Sequence, residues 1–433
     1  MEKGFWIAFI AFFLLFVAFI ILHRYLAAFI LLLVVGFAFQ KLFGLDGFLF
    51  FYLLKSKFGI REMEKFSKKE IFSKICDVGF FAVFGLSSLI LKRQKKLNAI
   101  VGMLVLIFLY ISFPFYSLSF INIFSPSIPI SSLPQTKNDN ILSFIILVSF
   151  FVFGVFGLTF SAFLVNSYLI FDMFLEGEKP IPGVMPVVPG LNIPFLSGIL
   201  SLFLAFSLHE FAHGVISISK KVRVKSTGLL IAGVLPVGAF VENDEKKMEK
   251  IKKEWQNQIL VAGITANFLL SLLFLPILLC MLNIPIEKYV IVAEPYNSTL
   301  TKGDIILKFG NFSINSISDL KNAEDYYSSK NISNIEIVVK NATTIFTKTI
   351  VTKFGAIGAY FIQEPKDKLF SFILSFVELS FILNFMLGAT NLLPIPGFDG
   401  HKLLKNVLGK YSKILEYFTI LLFIVNLLPF ILL

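Results

Sequence analysis

The stretch FLSGILSLFLAFSLHEFAHGVIS, residues 195–217, decides how the chain folds. It is almost continuously apolar, and at about 1.5 Å per residue a helix over it spans the roughly 30 Å hydrocarbon core of a bilayer. Its second half nevertheless contains three ionisable residues, although a charged side chain at the bilayer centre costs about 2.5–3.5 kcal/mol. We therefore predict a transmembrane helix whose polar residues have a function.

The composition extends this interpretation to the whole chain. Of 433 residues, 56% are hydrophobic and only 15% are charged, whereas about a quarter of a typical soluble domain is charged. This composition excludes a water-soluble globular protein and predicts a polytopic α-helical membrane protein. Apolar runs predict spans at residues 4–22, 25–39, 98–118, 141–171, 195–217, 258–282, 369–392 and 414–433, while the shorter runs 47–54 and 77–91 stay unassigned.

One long polar segment, residues 286–368, interrupts the apolar runs in the second half of the chain. Alternating residues at 335–340 and 344–349 predict strands within it. Residues 228–242 are short, apolar and contain Gly and Pro, which predicts a re-entrant, β-like loop beside a cavity. The predicted organisation is an N-terminal transmembrane extension (1–180), a membrane core in two parts (181–285 and 369–433), and a small β-rich domain inserted between them (286–368).

The basic residues indicate an orientation. The formal net charge is +11, but Lys and Arg lie in short blocks between apolar runs, so we predict a lipid bilayer and no nucleic acid as the partner. Residues 220–255 contain nine Lys and Arg, and 401–413 contain four Lys. The positive-inside bias predicts that both blocks are cytosolic and that 286–368 lies outside. The Phe, Ile and Lys bias favours a prokaryotic plasma membrane.

Two of the four histidines lie four residues apart, at His209 and His213, with Glu210 beside the first. On a helix this spacing places both imidazoles on one face, where they can bind one Zn²⁺. Zinc lowers the pKa of a bound water, and the neighbouring carboxylate can accept its proton. The motif predicts a zinc-dependent hydrolase. Polar residues that merely join helices are disfavoured, because three ionisable groups in five residues are costly in lipid.

A catalytic zinc site needs a third protein ligand. Glu378, Asp399 and His401 are the candidates near later apolar runs. We predict Asp399, because it lies in NLLPIPGFDG, residues 391–400, where two prolines and two glycines end a helix and hold a carboxylate at membrane depth. We interpret Glu378 as an interhelical hydrogen-bonding group and His401 as an interfacial residue.

Several motifs together resemble the site-2 protease family of intramembrane zinc metalloproteases. They follow the order of that family and comprise VPGLNIP (188–194), HEFAH (209–213), PVGAFVE (236–242), AGITAN (262–267) and NLLPIPGFDG (391–400). The similarity covers about residues 188–413, so the role of the N-terminal spans is outside it.

The resemblance implies a three-helix catalytic core with Zn²⁺ as cofactor. Carried over residue by residue, it implies His209, His213 and Asp399 as zinc ligands, Glu210 as the catalytic base and Asn391 as a substrate-binding residue. It also implies that the inserted domain is PDZ-like and extracytoplasmic.

The predicted function is hydrolysis of peptide bonds within or near transmembrane helices of single-pass membrane proteins, as in regulated intramembrane proteolysis. Backbone groups freed by unwinding need new partners in lipid, so we expect the substrate to add as a strand to segment 228–242, near Gly238. The alternatives are a membrane protease with Glu378 as third ligand, a metal transporter and a non-catalytic scaffold that binds transmembrane segments. Glu210 disfavours the scaffold, and no pseudo-repeat that would indicate a transporter is apparent.

Overall fold

The computed structural model describes residues 3–22, 24–91, 96–124, 139–177, 180, 182–190, 192–296, 298–341, 344–352 and 357–432. Within these ranges, seven helical stretches are long and apolar enough to cross a membrane, which fits the predicted polytopic membrane protein. They are Ile71–Leu91, Lys96–Ser119, Asn140–Leu175, Phe195–Ser219, Lys253–Leu282, Lys368–Thr390 and Asp399–Ile431.

The first elements are helices α1 (Lys3–Ile21) and α2 (Tyr25–Phe43), strands β1 (Gly47–Phe48) and β2 (Phe51–Ser56), and helix α3 (Ile60–Ser67). Aromatic packing joins α1 to α2, because the buried rings of Phe5 and Phe39 lie 5.3 Å apart. Tyr52 and Leu54 are buried against this pair while their neighbours in β2 are more exposed, which is the period-2 pattern of a strand. The unassigned run 47–54 is therefore a pair of strands.

Four helices follow: α4 (Ile71–Phe84), α5 (Ser88–Leu91), α6 (Lys96–Phe124) and α7 (Asp139–Leu175). The run predicted as one span at 141–171 is helical, but α7 breaks at Gly154, where φ is 64° and ψ is −153°. A Cβ at Gly157 would collide with the carbonyl oxygen of Ser149, eight positions earlier. Helix α7 is therefore sharply kinked at Gly154 and is not one straight helix.

Helix α4 ends in the same conformation, at Gly85 with φ 55° and ψ −143°. Gly85 and Gly154 lie back to back: a Cβ on either glycine would come within 2.6 Å of the backbone nitrogen of the other. Only glycine fits this crossing. Both glycines end the pattern F-x-V-F-G, at 81–85 and 150–154.

The centre of the molecule comprises α8 (Phe195–Ser219), β3 (Val224–Ala232), β4 (Leu235–Asn243), α9 (Glu245–Lys250) and α10 (Lys253–Leu282). Strands β1 to β4 form one antiparallel sheet in sequence order, with β4 at an edge. The loop predicted at 228–242 is thus part of the β3–β4 hairpin, whose turn at Gly233 packs on the backbone of Leu32 in α2. Lys55 of β2 lies opposite Gly228 of β3, so the N-terminal extension shares a sheet with the core.

The polar insertion contains β5 (Lys288–Pro295), β6 (Ile305–Phe309), β7 (Phe312–Ser313), α11 (Ile317–Ser329), β8 (Asn334–Lys340), β9 (Ile345–Val351) and β10 (Ala359–Pro365). Its strands form a separate sheet in the order β10-β5-β6-β8-β9, with β7 paired to β6. Val290, Ile306 and Phe309 are fully buried in a core that belongs to this unit. Strands β8 and β9 coincide, within about two residues, with the two predicted from alternation.

The remaining helices are α12 (Lys368–Thr390), α13 (Asp399–Leu408) and α14 (Ser412–Leu432). Helices α8, α10 and α12 pack together through small polar residues. The Ser201 and Ser380 hydroxyl oxygens are 3.1 Å apart, and Ser271 donates to the carbonyl of Phe381 at 2.7 Å. Such residues allow close approach of helices in lipid and satisfy each other there. This three-helix unit holds the site.

Candidate metal centre and active site

The two histidines of the motif lie one turn apart near the C-terminal end of α8. Their Nε2 atoms are 3.0 Å apart, and both side chains are buried. They converge because residues four apart share a helix face. This is the juxtaposition that the spacing of His209 and His213 predicts.

Asp399 approaches the same point from the other end of the core. It is the first residue of α13, and its Oδ2 lies 3.1 Å from Nε2 of His209 and 3.0 Å from Nε2 of His213. Within the part of the chain that the structure describes, these three residues form a cluster of metal-ligand type. The structure therefore brings together the three side chains predicted to be ligands.

The loop before Asp399 is held by backbone contacts. Helix α12 ends at Thr390, just before the prolines of NLLPIPGFDG, which cannot continue a helix. The Gly400 N–H then donates to the carbonyl of Asn391 at 2.7 Å. A Cβ at Gly400 would collide with the carbonyl oxygen of Leu392, so the Asp-Gly pair requires glycine at its second position.

The donor set suits a divalent ion such as zinc. Nδ1 of His213 donates to the carbonyl of Ile259 at 2.7 Å, and a carbonyl only accepts, so in the neutral ring Nε2 keeps its lone pair for a metal. Two ligand atoms about 2.0–2.2 Å from a tetrahedral zinc lie about 3.3–3.6 Å apart. The three atoms here are separated by 3.0–3.1 Å, which is close to that spacing. Nδ1 of His209 is buried and has no hydrogen-bond partner among the described residues.

Gly263 of α10 leaves the space that an ion would need. A Cβ at this position would lie 2.5 Å from Nε2 of His213 and 2.6 Å from Nε2 of His209. Any side chain at 263 would therefore occupy the point on which the ligands converge. This is a steric reason for the glycine in AGITAN, and no local pattern in the sequence indicates it.

Glu210 lines a cavity of about 680 Å³ together with His209, His213 and Asp399. Its Oε2 accepts a hydrogen bond from the backbone N–H of Val241 in β4 at 2.9 Å. The edge strand of the sheet thus fixes the carboxylate beside the cluster. A half-buried carboxylate next to a metal site can serve as a general base.

The other residues considered as site residues have different positions relative to the cavity. Asn391 and His401 line the cavity, and His401 Nδ1 lies 3.6 Å from Glu416 Oε2. Gly238 is buried in β4, where a Cβ would lie 3.6 Å from the ring of Phe206. Glu378 lies in α12 and is not a member of the cluster formed by the described residues.

The N-terminal extension supplies part of the cavity wall, which the sequence did not indicate. Leu53 and Lys55 of β2 line the cavity. Lys55 Nζ lies 2.9 Å from Asp46 and 3.4 Å from Glu242, and the hydrogen bond with Asp46 raises the pKa of Lys55. The Ser226 hydroxyl donates to Glu242 at 2.6 Å and lowers the pKa of that carboxyl. The charges at this wall are therefore paired with each other.

Sequence comparison agrees with this geometry. A model of peptidase family M50 matches residues 197–418, which include the histidine motif, Gly263 and Asp399. The chain belongs to peptidase family M50. This confirms the predicted membership of the site-2 protease family and identifies the chain as a membrane metalloprotease. The M50 peptidase is also 34% identical over 267 residues to the uncharacterized protein MJ0971 of Methanocaldococcus jannaschii, which covers 58% of this chain and 72% of that protein.

Proposed function

We propose that this M50 peptidase is an intramembrane zinc protease that cleaves peptide bonds within or near transmembrane helices of single-pass membrane proteins. The proposal depends on one observation: two imidazole nitrogens and a carboxylate oxygen lie within 3.1 Å of one another on apolar helices, with Glu210 beside them. His209, His213 and Asp399 would hold the ion, and Glu210 would be the base.

In this mechanism, a bound Zn²⁺ would polarise the scissile carbonyl and lower the pKa of the attacking water. Glu210 accepts a proton from the water and transfers it to the departing amide nitrogen. The Val241 N–H keeps one carboxylate oxygen in place, so the other can take the proton. Asn391, which lines the cavity, would donate its side-chain amide to a substrate carbonyl.

Substitution of the base tests this function. Glu210→Gln is expected to retain zinc, because Glu210 is not a ligand, and to slow cleavage of a transmembrane reporter about 10²- to 10⁴-fold in detergent. Cleavage by Glu210→Gln at the parental rate would refute the assignment. A parent that binds zinc and the reporter without cleaving would favour the scaffold, and zinc flux into vesicles without cleavage would favour the transporter.

Zinc content separates the two possible third ligands. Asp399→Ala is expected to lose the metal, because its carboxylate oxygen lies 3.0–3.1 Å from both histidines. Glu378→Ala is expected to keep it. The opposite pattern would favour the alternative membrane protease with a glutamate ligand.

We further propose that the unwound substrate adds as a strand to β4. The Val241 N–H faces Glu210 and therefore points away from β3. Hydrogen-bonding directions alternate along an antiparallel strand, so Ala239, two positions earlier, also directs its N–H and carbonyl to the open edge. A peptide paired there would run past the metal centre.

The register also determines which substitution tests strand addition. Gly238 lies opposite Leu230 with its N–H directed at β3, so proline there would break the hairpin itself. Ala239→Pro removes an outward N–H and leaves the β3–β4 bonds in place. We expect Ala239→Pro to lower reporter cleavage at least tenfold with unchanged zinc content, while Ala239→Gly retains cleavage. Equal cleavage by both variants would reject strand addition.

The inserted unit fits a PDZ-like domain on the extracytoplasmic side that admits only trimmed substrates. In the described part of the unit, the helix α11 accompanies an antiparallel sheet. The basic blocks at 220–255 and 401–413 favour a cytosolic position for the opposite side of the membrane. Lys288 pairs with Pro365, so the unit can be deleted and its ends joined by a short linker. The deletion is expected to widen cleavage to substrates with long ectodomains. An unchanged substrate range would contradict the filter.

A further inference from the structure

A basic cavity lies where the N-terminal extension meets the end of the motif helix. It has a volume of about 360 Å³ and lies between α3, the end of α8 and the start of β3. Its charged lining consists of one carboxylate, Glu64, and four cations, which are Lys57, Lys221, Arg223 and Lys225.

The extended chain that follows Lys221 directs Arg223 and Lys225 into the cavity, and Lys221 lines it from the end of α8. Val222 and Val224 are buried, while Lys221, Arg223 and Lys225 are exposed. Side chains two positions apart on an extended chain point to the same side. Lys221 has a φ of 62° because it ends α8 in a Schellman motif, in which the Lys221 N–H donates to the carbonyl of Ile218 at 2.9 Å and the Val222 N–H donates to the carbonyl of Ser217 at 2.8 Å.

The four cations outnumber Glu64, the one carboxylate that lines the cavity. Among the residues that the structure describes, none of the four cations forms an ion pair with Asp or Glu, whereas Lys55, Lys366 and Lys402 do. Like charges that share a cavity repel one another, and an anion between them removes that repulsion. The cavity is therefore complementary to an anion.

This cavity lies at the end of a candidate membrane span, because Lys221 follows the span Phe195–Ser219. Phe58, next to Lys57, is 90% exposed, and the Thr227 hydroxyl donates to its carbonyl at 2.6 Å. Phe66 of α3 is also exposed, with Lys69 Nζ 5.4 Å from its ring centre. Phe side chains beside Lys side chains are found on amphipathic segments that lie on the surface of a bilayer. An anion that reaches the cavity from the bilayer is a lipid headgroup.

We propose that this cavity binds the phosphate headgroup of an anionic phospholipid. Arg223 would hold two phosphate oxygens with its guanidinium, and the three lysines would supply further charge. Since Lys57 belongs to the extension and the other cations follow α8, the bound lipid would bridge the extension and the core. The site is separate from the metal centre and does not depend on the proposed peptidase activity.

Native mass spectrometry of the full chain in detergent tests the proposal. The parent is expected to retain one phosphatidylglycerol in preference to phosphatidylcholine. Lys221→Gln, Arg223→Gln and Lys225→Gln together should weaken that binding about a hundredfold, because each cation near an anionic surface contributes about a fivefold factor. The matched control removes three cations from α9, as Lys246→Gln, Lys247→Gln and Lys250→Gln, and should change binding less than threefold.

Each outcome supports or overturns the site. Lys57→Gln, a single exposed change, should weaken binding about fivefold even if the triple variant fails to fold. Equal losses in the α9 control would show a general charge effect and overturn the site. Retention of phosphatidylcholine to the same extent as phosphatidylglycerol would also overturn the site. Free phosphate is the other possible ligand. If millimolar inorganic phosphate displaces phosphatidylglycerol, and if the parent binds phosphate more tightly than the triple variant does, the cavity is a site for free phosphate and the lipid proposal is wrong.

Discussion

Replacement of Gly263 by alanine is expected to abolish metal binding while the helices remain folded. The new Cβ would lie 2.5 Å from His213 Nε2 and 2.6 Å from His209 Nε2, whereas ordinary contact begins at 3.4 Å. The ligand atoms would have to move by nearly 1 Å. Metal sites tolerate ligand displacements of only about 0.2 Å, so both imidazoles would leave the coordination sphere.

The loss of zinc affinity should be at least about a hundredfold. Changes in residues that only support a ligand already cost about 10- to 100-fold, and here two ligands are displaced directly. A hundredfold corresponds to about 2.7 kcal/mol. The substitution should not destabilise helix α10, because alanine is favoured over glycine inside a helix by about 1 kcal/mol. The histidine side chains can also rotate away from the new Cβ when no metal is bound.

Zinc affinity would be measured by competition with a chromophoric chelator. The unfolding temperature would be measured with and without EDTA. Gly238→Ala is the matched control, since this glycine is also buried but its Cβ would meet Phe206 at an ordinary 3.6 Å. Added zinc should stabilise the parent and Gly238→Ala but not Gly263→Ala. Zinc affinity of Gly263→Ala within threefold of the parent would refute the steric argument.

Two further substitutions probe the rest of the fold. Asn426→Ala should lower the free energy of unfolding in mixed detergent by about 1–2 kcal/mol, because the Asn426 amide donates to Ser167 at 2.7 Å; an equal loss in the exposed control Asn283→Ala would contradict this. Burial raises the pKa of Glu324 despite the hydrogen bond from Ile357 N–H, so its charge destabilises the fold at neutral pH and the penalty disappears as pH falls through the raised pKa. Glu324→Gln should therefore raise the unfolding temperature near pH 7 but not near pH 4.5, and equal changes at both pH values would contradict the assignment.

The residues of the candidate site were predictable because their signals are local. The i, i+4 spacing of His209 and His213 fixes their common helix face wherever the helix lies. Asp399 was identified because the surrounding prolines and glycines indicate a helix end. The strands of the insertion follow from alternation, which is also a local property.

Features that depend on distant segments were not predictable in the same way. Lys55 lies opposite Gly228 because two strands far apart in the chain pair, and nothing in run 47–54 indicates its partner. Gly263 looks like any small residue of a membrane helix until the imidazoles are placed beside it. Gly154 lies in an apolar run typical of a single span, and only its contact with Gly85 shows why the helix is kinked there.

The contact between α7 and α14 has a consequence for synthesis of the protein in the cell. The Asn166 amide donates to Asn426 at 2.8 Å, although the two residues are 260 positions apart. Asn166 therefore emerges from the ribosome long before its partner. Until α14 is made, the hydrogen bond from Asn166 to Asn426 is absent. Helix α7 reaches its final packing only after α14 is inserted, so a nascent chain arrested before α14 would expose its early helices to membrane quality control.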